Sequence, residues 1–262
     1  MKRVLYILCV VALAGILYSE MSARREKATN FENKKDISCF APTEKMIAEI
    51  KKENNCKVAY LTFDDGPSKN TKKVLRVLKE KDAVATFFLV GNRITAETEE
   101  IIKEAIDGGN AIGVHSYSHE KDEMYVNEEG FWKDYEKAAN RIGEVLEKKP
   151  TLHRFPWGSN NGYVSSYVDY LLEDLKKDGV RSFDWNVSGE DSVGVVTKKS
   201  IMKNIQKDLN RYEAPIILLH DSATADVTTE VLGEVIDYVR EQGYEFATLE
   251  HREGYTFPAS WR

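Results

Sequence analysis

Two adjacent carboxylates in Thr62-Phe63-Asp64-Asp65-Gly66-Pro67 close an apolar run, and Gly66-Pro67 then bends the chain. Neighbouring side chains at a strand end diverge, so one carboxylate can face a metal while the other faces a water or a substrate. Metal-assisted hydrolysis requires that division of labour. Taken alone, aspartate before glycine is also ordinary turn chemistry. Further along, His115-Ser116-Tyr117-Ser118-His119 sets two of the chain's five histidines four residues apart. By itself this spacing suits surface or capping histidines equally well, and no glutamate follows His115, so it is not the metalloprotease helix motif. Joined to an aspartate from the first segment, it supplies two nitrogens and one oxygen and leaves positions for water and substrate.

The elements that must position these groups alternate. Short apolar runs predict strands over 58–63, 85–89, 111–114, 152–155, 180–183, 216–219 and 246–249. Amphipathic stretches predict helices over 71–81, 98–107, 128–148, 165–177, 197–210 and 228–241, several of them stopped by glycine at Gly108-Gly109, Gly179 and Gly243. Such alternation means parallel strands joined by crossovers, either a barrel or an open doubly wound sheet, and periodicity alone does not separate the two. The unusual polar residues follow the strands. Asp64-Asp65 come after the first, His115 to His119 after the third, Arg154 to Gly158 after the fourth, Asp184-Trp185 after the fifth and His220-Asp221 after the sixth. In a parallel α/β fold all of these lie at the carboxyl ends of the strands, where such folds place their sites.

These segments, together with Arg154-Phe155-Pro156-Trp157-Gly158, Phe183-Asp184-Trp185 and Leu218-Leu219-His220, resemble in order and spacing the polysaccharide deacetylases of carbohydrate esterase family four. The resemblance covers about 57–249. It implies an α/β fold, a distorted, incomplete (β/α) barrel with about seven parallel strands. It also implies a metal-dependent hydrolase that removes acetyl groups from sugar polymers, with N-acetylglucosamine of peptidoglycan as the expected substrate. Chitin oligomers, muramic acid, O-acetylated xylan, or glycan binding without catalysis are the alternatives. The implied cofactor is a divalent metal, zinc by expectation, with cobalt or another transition metal as the alternative. By the same resemblance Asp65, His115 and His119 bind the metal, Asp64 is the general base and His220 the general acid. Arg154 orients the base, and Asp184 pairs with His220 to keep it protonated. Pro156, Trp157, Trp185 and Leu218 are the expected substrate-binding residues; the Trp157 N–H faces the oxyanion, and Trp157, Trp185 and Leu218 wall the acetyl pocket. Two positions depart from the family's habit: Arg181 stands three before Asp184, where an acid or amide is frequent, and Trp157 stands where tyrosine is frequent.

The rest of the chain gives compartment and context. Lys2 and Arg3 precede an apolar segment running from Val4 to Tyr18, an export signal expected to remain as a membrane anchor, with a cleaved signal peptide as the alternative. The expected organisation is therefore a signal anchor or peptide over 1–21, a polar tether and extension over 22–56, the deacetylase domain over 57–250 and a tail over 251–262. Cys39 and Cys56 would close a loop ahead of the first strand if oxidised, with free thiols as the alternative. With 262 residues, 42% of them hydrophobic, one sizeable domain is expected. The formal charge of −6, with lysines interleaved among glutamates, argues against a nucleic-acid partner. The expectation is a monomer at the cell surface, anchored or secreted, acting on acetylated cell-wall glycan. The tail carries Tyr255, Phe257 and Trp261, which either pack against the barrel's last gap or bind sugar rings.

Overall fold

A computed structural model describes residues 57–262. The expected export segment, the tether and the Cys39–Cys56 pair lie outside the described residues. In chain order the elements are β1 (Lys57–Gly66), α1 (Lys69–Glu80), β2 (Ala85–Val90), α2 (Ala96–Asp107), β3 (Ala111–Ser116), the short α3 (Lys121–Met124), α4 (Glu128–Leu146) and β4 (Leu152–His153). They continue with α5 (Val168–Lys177), β5 (Arg181–Ser182), β6 (Val187–Ser188), α6 (Lys198–Asp208), β7 (Ile216–His220), α7 (Asp226–Glu241) and β8 (Tyr244–Phe246). Hydroxyl and amide side chains set the helix starts: Ser68 with Thr71, Thr95 with Thr98 and Thr197 with Ser200 form reciprocal caps, and Asn127 caps α4. The three reciprocal caps each shift a helix start by one or two residues from where apolar periodicity begins it, whereas α4 starts at Glu128 as expected.

Every strand pairing is parallel, in the order β5-β4-β3-β2-β1-β7-β6, with β8 beside the start of β1. The sheet curls into a distorted, incomplete (β/α) barrel. Its two edges are β5 and β6, yet only Phe183 to Asn186 separates them in the chain. Five peptide steps reach at most about 18 Å, so the edges face one another across a narrow seam. The tail fills part of that seam: Tyr255 bridges Phe183, taking a bond from the Asp184 N–H at 2.6 Å and giving one to the Ser182 carbonyl at 3.0 Å. Two corrections concern the strands. The run at 246–249 is a strand only over Tyr244–Phe246, and Leu249 opens a 3-10 turn. A further strand, β6, is two residues long, too short to leave a periodic signal.

Alternation along β1 sorts two cores. Leu61 and Phe63 join Phe87, Leu89, Val114, Ile217 and Leu219 beneath the helices, while Val58 and Tyr60 face inward with Phe88, Leu152, Phe183 and Ile216. Thr62 and Asp64 share the parity of Tyr60 and so share its inward face. Buried on both faces, these strands read as continuous apolar runs rather than alternating ones. Among the described residues no helix is long and apolar enough to cross a membrane.

Candidate active site

Strict alternation would send Asp65 to the face opposite Asp64. Instead the β1–β2 register slips between Asp64 and Gly66, and Asp65 takes a left-handed backbone with φ 73°. A one-residue bulge of this kind re-aims a side chain, and both carboxylates come to one site. His119 (φ 58°) and Trp157 (φ 63°) share that unusual conformation. Residues held in this region cost about 1–3 kcal/mol each and persist where the surroundings fix them.

Asp65, His115 and His119 offer ligand atoms that all lie within 4.8 Å of one another. Nε2 of His119 is 3.1 Å and Nε2 of His115 3.6 Å from Asp65 Oδ1. His115 Nδ1 stands 2.9 Å from the Arg154 carbonyl and donates to it, which leaves the Nε2 lone pair facing the site. Burial pushes the His115 imidazole down to about 3, so it is neutral. Asp65 Oδ1 is buried with no donor hydrogen aimed at it. Burial opposes charge on Asp65, but the neighbouring imidazoles of His119 and His115 outweigh it and hold the carboxyl well below the ordinary range. A buried oxygen lacking a donor and two imidazole nitrogens converging on one point are what a divalent cation satisfies, and nitrogen with oxygen suits a transition metal. These residues therefore fit a divalent-metal site.

The loop carrying His119 hangs on Asp134 of α4. Its carboxylate accepts from the Tyr117 N–H at 2.6 Å, the Ser118 N–H at 2.9 Å and the Ser118 hydroxyl at 2.7 Å. On the other side Arg93 donates to the Asp65 carbonyl. Beneath the turn lies Asp221, fully buried, accepting from the Thr71 hydroxyl at 2.5 Å and pushed up to about 7 by burial. A Cβ on Gly66 would collide with that carboxylate, so glycine is required there.

Asp64 is 3% exposed. Arg154, wholly buried, donates to Asp64 Oδ1 and to the Thr62 hydroxyl, both at 2.8 Å, and to the Phe183 and Asp184 carbonyls at 2.8 and 3.2 Å. Burial nevertheless dominates and raises the Asp64 carboxyl above its ordinary value, with the Arg154 charge opposing. A carboxylate raised in this way is a stronger base than an ordinary one, as a proton acceptor in catalysis needs to be.

His220 ends β7. Its Nδ1 lies 2.8 Å from Asp191 Oδ1, and its backbone N–H donates to Asp191 Oδ2 at 2.8 Å. The expected pairing of His220 with Asp184 does not occur. Asp184 accepts instead from the Ser159 N–H at 2.9 Å, the Ser159 hydroxyl at 2.5 Å and the Phe257 N–H at 2.6 Å, so its lone pairs are committed to the Trp157 turn and to the tail. Burial works against charge on His220, but the Asp191 hydrogen bond and the surrounding carboxylates prevail and raise the imidazole to about 9. Asp191 follows the two-residue β6. No periodic run marks that strand, and the only sequence signal is the acid pair Glu190-Asp191 directly after Gly189.

The expected walls assemble around these groups. Trp157, 45% exposed, packs 4.8 Å from the His119 ring, and its N–H has no acceptor among the described residues. Trp185 is half-buried, its ring 5.7 Å from the Arg154 guanidinium. Leu218 pairs in register with Thr62, on the inward face, and is buried. Pro156 is buried and lends its carbonyl to the Tyr125 hydroxyl at 3.2 Å, a supporting contact rather than an open surface. Arg181 donates to the Arg252 and Glu250 carbonyls, tying the tail to β5.

Residues 51–182 match the polysaccharide deacetylase family. A peptidoglycan-N-acetylglucosamine deacetylase of Bacillus cereus is 27% identical over 98% of this chain and 93% of its own length. A peptidoglycan-N-acetylmuramic acid deacetylase of Bacillus subtilis is 31% identical over 85% of this chain and 45% of its own. Among solved structures, the catalytic domain of the peptidoglycan N-acetylglucosamine deacetylase from Eubacterium rectale superposes with a TM-score of 0.70 at 26% identity, covering 79% of this chain and 96% of that one.

Proposed function

The chain belongs to the polysaccharide deacetylase family, and on that premise we propose that it hydrolyses the N-acetyl groups of N-acetylglucosamine in peptidoglycan. The observation that carries the reading is a buried, arginine-held Asp64 and a carboxylate-held His220 placed beside one three-residue metal site. Zinc fits the His-His-Asp set best, and cobalt is the alternative. A divalent ion held by Asp65, His115 and His119 supplies Lewis acidity toward the acetyl carbonyl and toward a water. Asp64, ionised against Arg154, takes the proton from that water as its oxygen bonds to the carbonyl carbon. The Trp157 N–H is free to donate to the oxygen that gains charge, an electrostatic contribution of about 3 kcal/mol for one such donor. Protonated His220 then gives its proton to the sugar nitrogen as the C–N bond breaks, and acetate and the free amine leave.

Asp184 acts through structure: it holds Ser159, two residues past Trp157, and so fixes the turn that presents the donor. Muramic acid is the second reading, favoured by the relative from Bacillus subtilis whose name carries that substrate. The same acid and base would serve it. A glycan-binding role without catalysis fits less well, because the base, its arginine, the acid and all three ligands are in place. Placement at the cell surface through the N-terminal segment rests on the Val4 to Tyr18 run and its flanking charges.

The test is acetate release by the full chain from peptidoglycan and from N-acetylglucosamine oligomers, with zinc, with chelator and with Asp64→Asn. Release that needs both metal and Asp64 supports the mechanism, and identification of the deacetylated sugar separates glucosamine from muramic acid. Stoichiometric zinc with no release from any substrate would overturn it.

A further inference from the structure

The three aromatic residues of the tail do different things. Tyr255 bridges Phe183 across the seam. Phe257 is 8% exposed and gives its N–H to Asp184. Trp261 is 60% exposed. It is nevertheless held in place: its N–H donates to the Pro258 carbonyl at 2.8 Å, its ring rests on Phe257 with centroids 5.8 Å apart, and the next residue, Arg262, pairs with Asp169 of α5 at 2.7 Å.

Phe257 in turn meets the Trp185 ring edge-on at 5.2 Å. Trp185 lies beside the guanidinium that holds Asp64. A Cβ on Gly158 would touch both Phe257 and Trp185, so this track of rings presses against the turn bearing Trp157. Three rings therefore follow one another from Trp185, an expected wall of the acetyl pocket, through Phe257 to the exposed indole of Trp261.

We propose that Trp261 is a distal subsite for the glycan strand, stacking on a sugar ring beyond the one whose acetyl group is cleaved. The inference rests on the deacetylase reading of the neighbouring site. A pyranose has an apolar C–H face and a hydroxyl rim, so it suits an exposed indole with polar neighbours, as Trp261 has Ser260 and Arg262 beside it in the chain. A lipid surface or an apolar peptide would need a wider contiguous patch. Stacking is also indifferent to charge, which fits a neutral sugar on a chain of formal charge −6.

The experiment compares the full-length wild type with Trp261→Ala and Trp261→Phe on N-acetylglucosamine oligomers from dimer to hexamer. It also measures hexamer affinity calorimetrically in the zinc-loaded Asp64→Asn background, where substrate is not consumed. An aromatic contact of this kind is worth about two- to tenfold in affinity. Trp261→Ala should therefore raise the KM and Kd for hexamer by about that factor and flatten the gain in kcat/KM with chain length, and Trp261→Phe should restore most of it. Equal hexamer affinity and an unchanged chain-length dependence in Trp261→Ala would overturn the subsite, as would a wild type that gains nothing with length. If acetate release fails while hexamer still binds more weakly to Trp261→Ala, the deacetylase reading falls and the subsite stands. If neither release nor binding occurs, both fall.

Discussion

Asp191 grips His220 at two points, the imidazole Nδ1 and the backbone N–H, each at 2.8 Å, and is itself held by the Thr228 hydroxyl at 2.7 Å. The first point sets the tautomer and raises the imidazole to about 9 against the pull of burial. The second fixes where the ring stands at the end of β7. Because the folded value lies above the ordinary 6.5, the pair's contribution to stability is complete below pH 6.5 and is lost as pH rises through about 9. On the proposed mechanism activity needs protonated His220 and should fall over the same alkaline range. In Asp191→Asn the alkaline limb of the kcat profile should move toward neutrality, with kcat near pH 8 reduced roughly a hundredfold, within the range typical of lost acid–base assistance. A pH–rate profile identical to wild type would remove Asp191 from this role.

Arg154 is the only cation bonded to Asp64 among the described residues, and both are buried. Replacing it by an apolar side chain strands a carboxylate. Arg154→Met should lose about 3–5 kcal/mol of stability at pH 7, as removal of one partner of a buried pair does. The deficit should shrink as pH falls, because protonated Asp64 needs no cation. Denaturant unfolding at pH 7 and at pH 5 checks the sign; an equal deficit at both would show that the cost lies in lost packing instead.

Asp64 and His119 should separate chemistry from metal. Asp64→Asn keeps all three ligands, so bound zinc should stay stoichiometric while kcat falls by about two to four orders of magnitude. His119→Ala should lose both. Metal content by elemental analysis beside initial rates decides the matter, and a normal rate from Asp64→Asn would exclude it as the base.

Asp134 accepts three hydrogen bonds from the loop ahead of His119. An amide in its place turns a donor toward donors. Asp134→Asn should weaken zinc binding about ten- to a hundredfold, the usual cost of losing a ligand's supporting contact. Chelator competition measures it, and unchanged affinity would mean that the loop is held by other means.

Much of this site was legible in the chain because β1, β2, β3 and β7 are long apolar runs, and the polar residues that follow them fall on one end of a parallel sheet. What was hidden depended on contacts remote in sequence or on elements too short to show a period. β4 and β5 are two residues each but sit in apolar runs that mark them, whereas β6, also two residues, has no such run, so Asp191 could not be placed at a strand end. Asp184 was misread for a different reason. Its oxygens are taken by Ser159, 25 residues before it, and by Phe257, 73 residues after it, and only the tail's return across the seam decides that. That Asp64 and Asp65 serve one site was expected from the resemblance, but the bulge at Asp65 that brings them there was not legible, since simple alternation sends them to opposite faces.

The place of β1 in the sheet governs when the protein becomes an enzyme. On one side β1 meets β2 at once, but Thr62 finds its β7 acceptor, the Ile217 carbonyl, only 155 residues later, and the start of β1 waits for β8. The two aspartates are thus translated early and receive their arginine, their histidines and their barrel wall piece by piece. Because His220 lies on β7 and Asp191 ahead of it in the chain, a chain that ends before them lacks the proposed acid however well its aspartates and metal ligands are set.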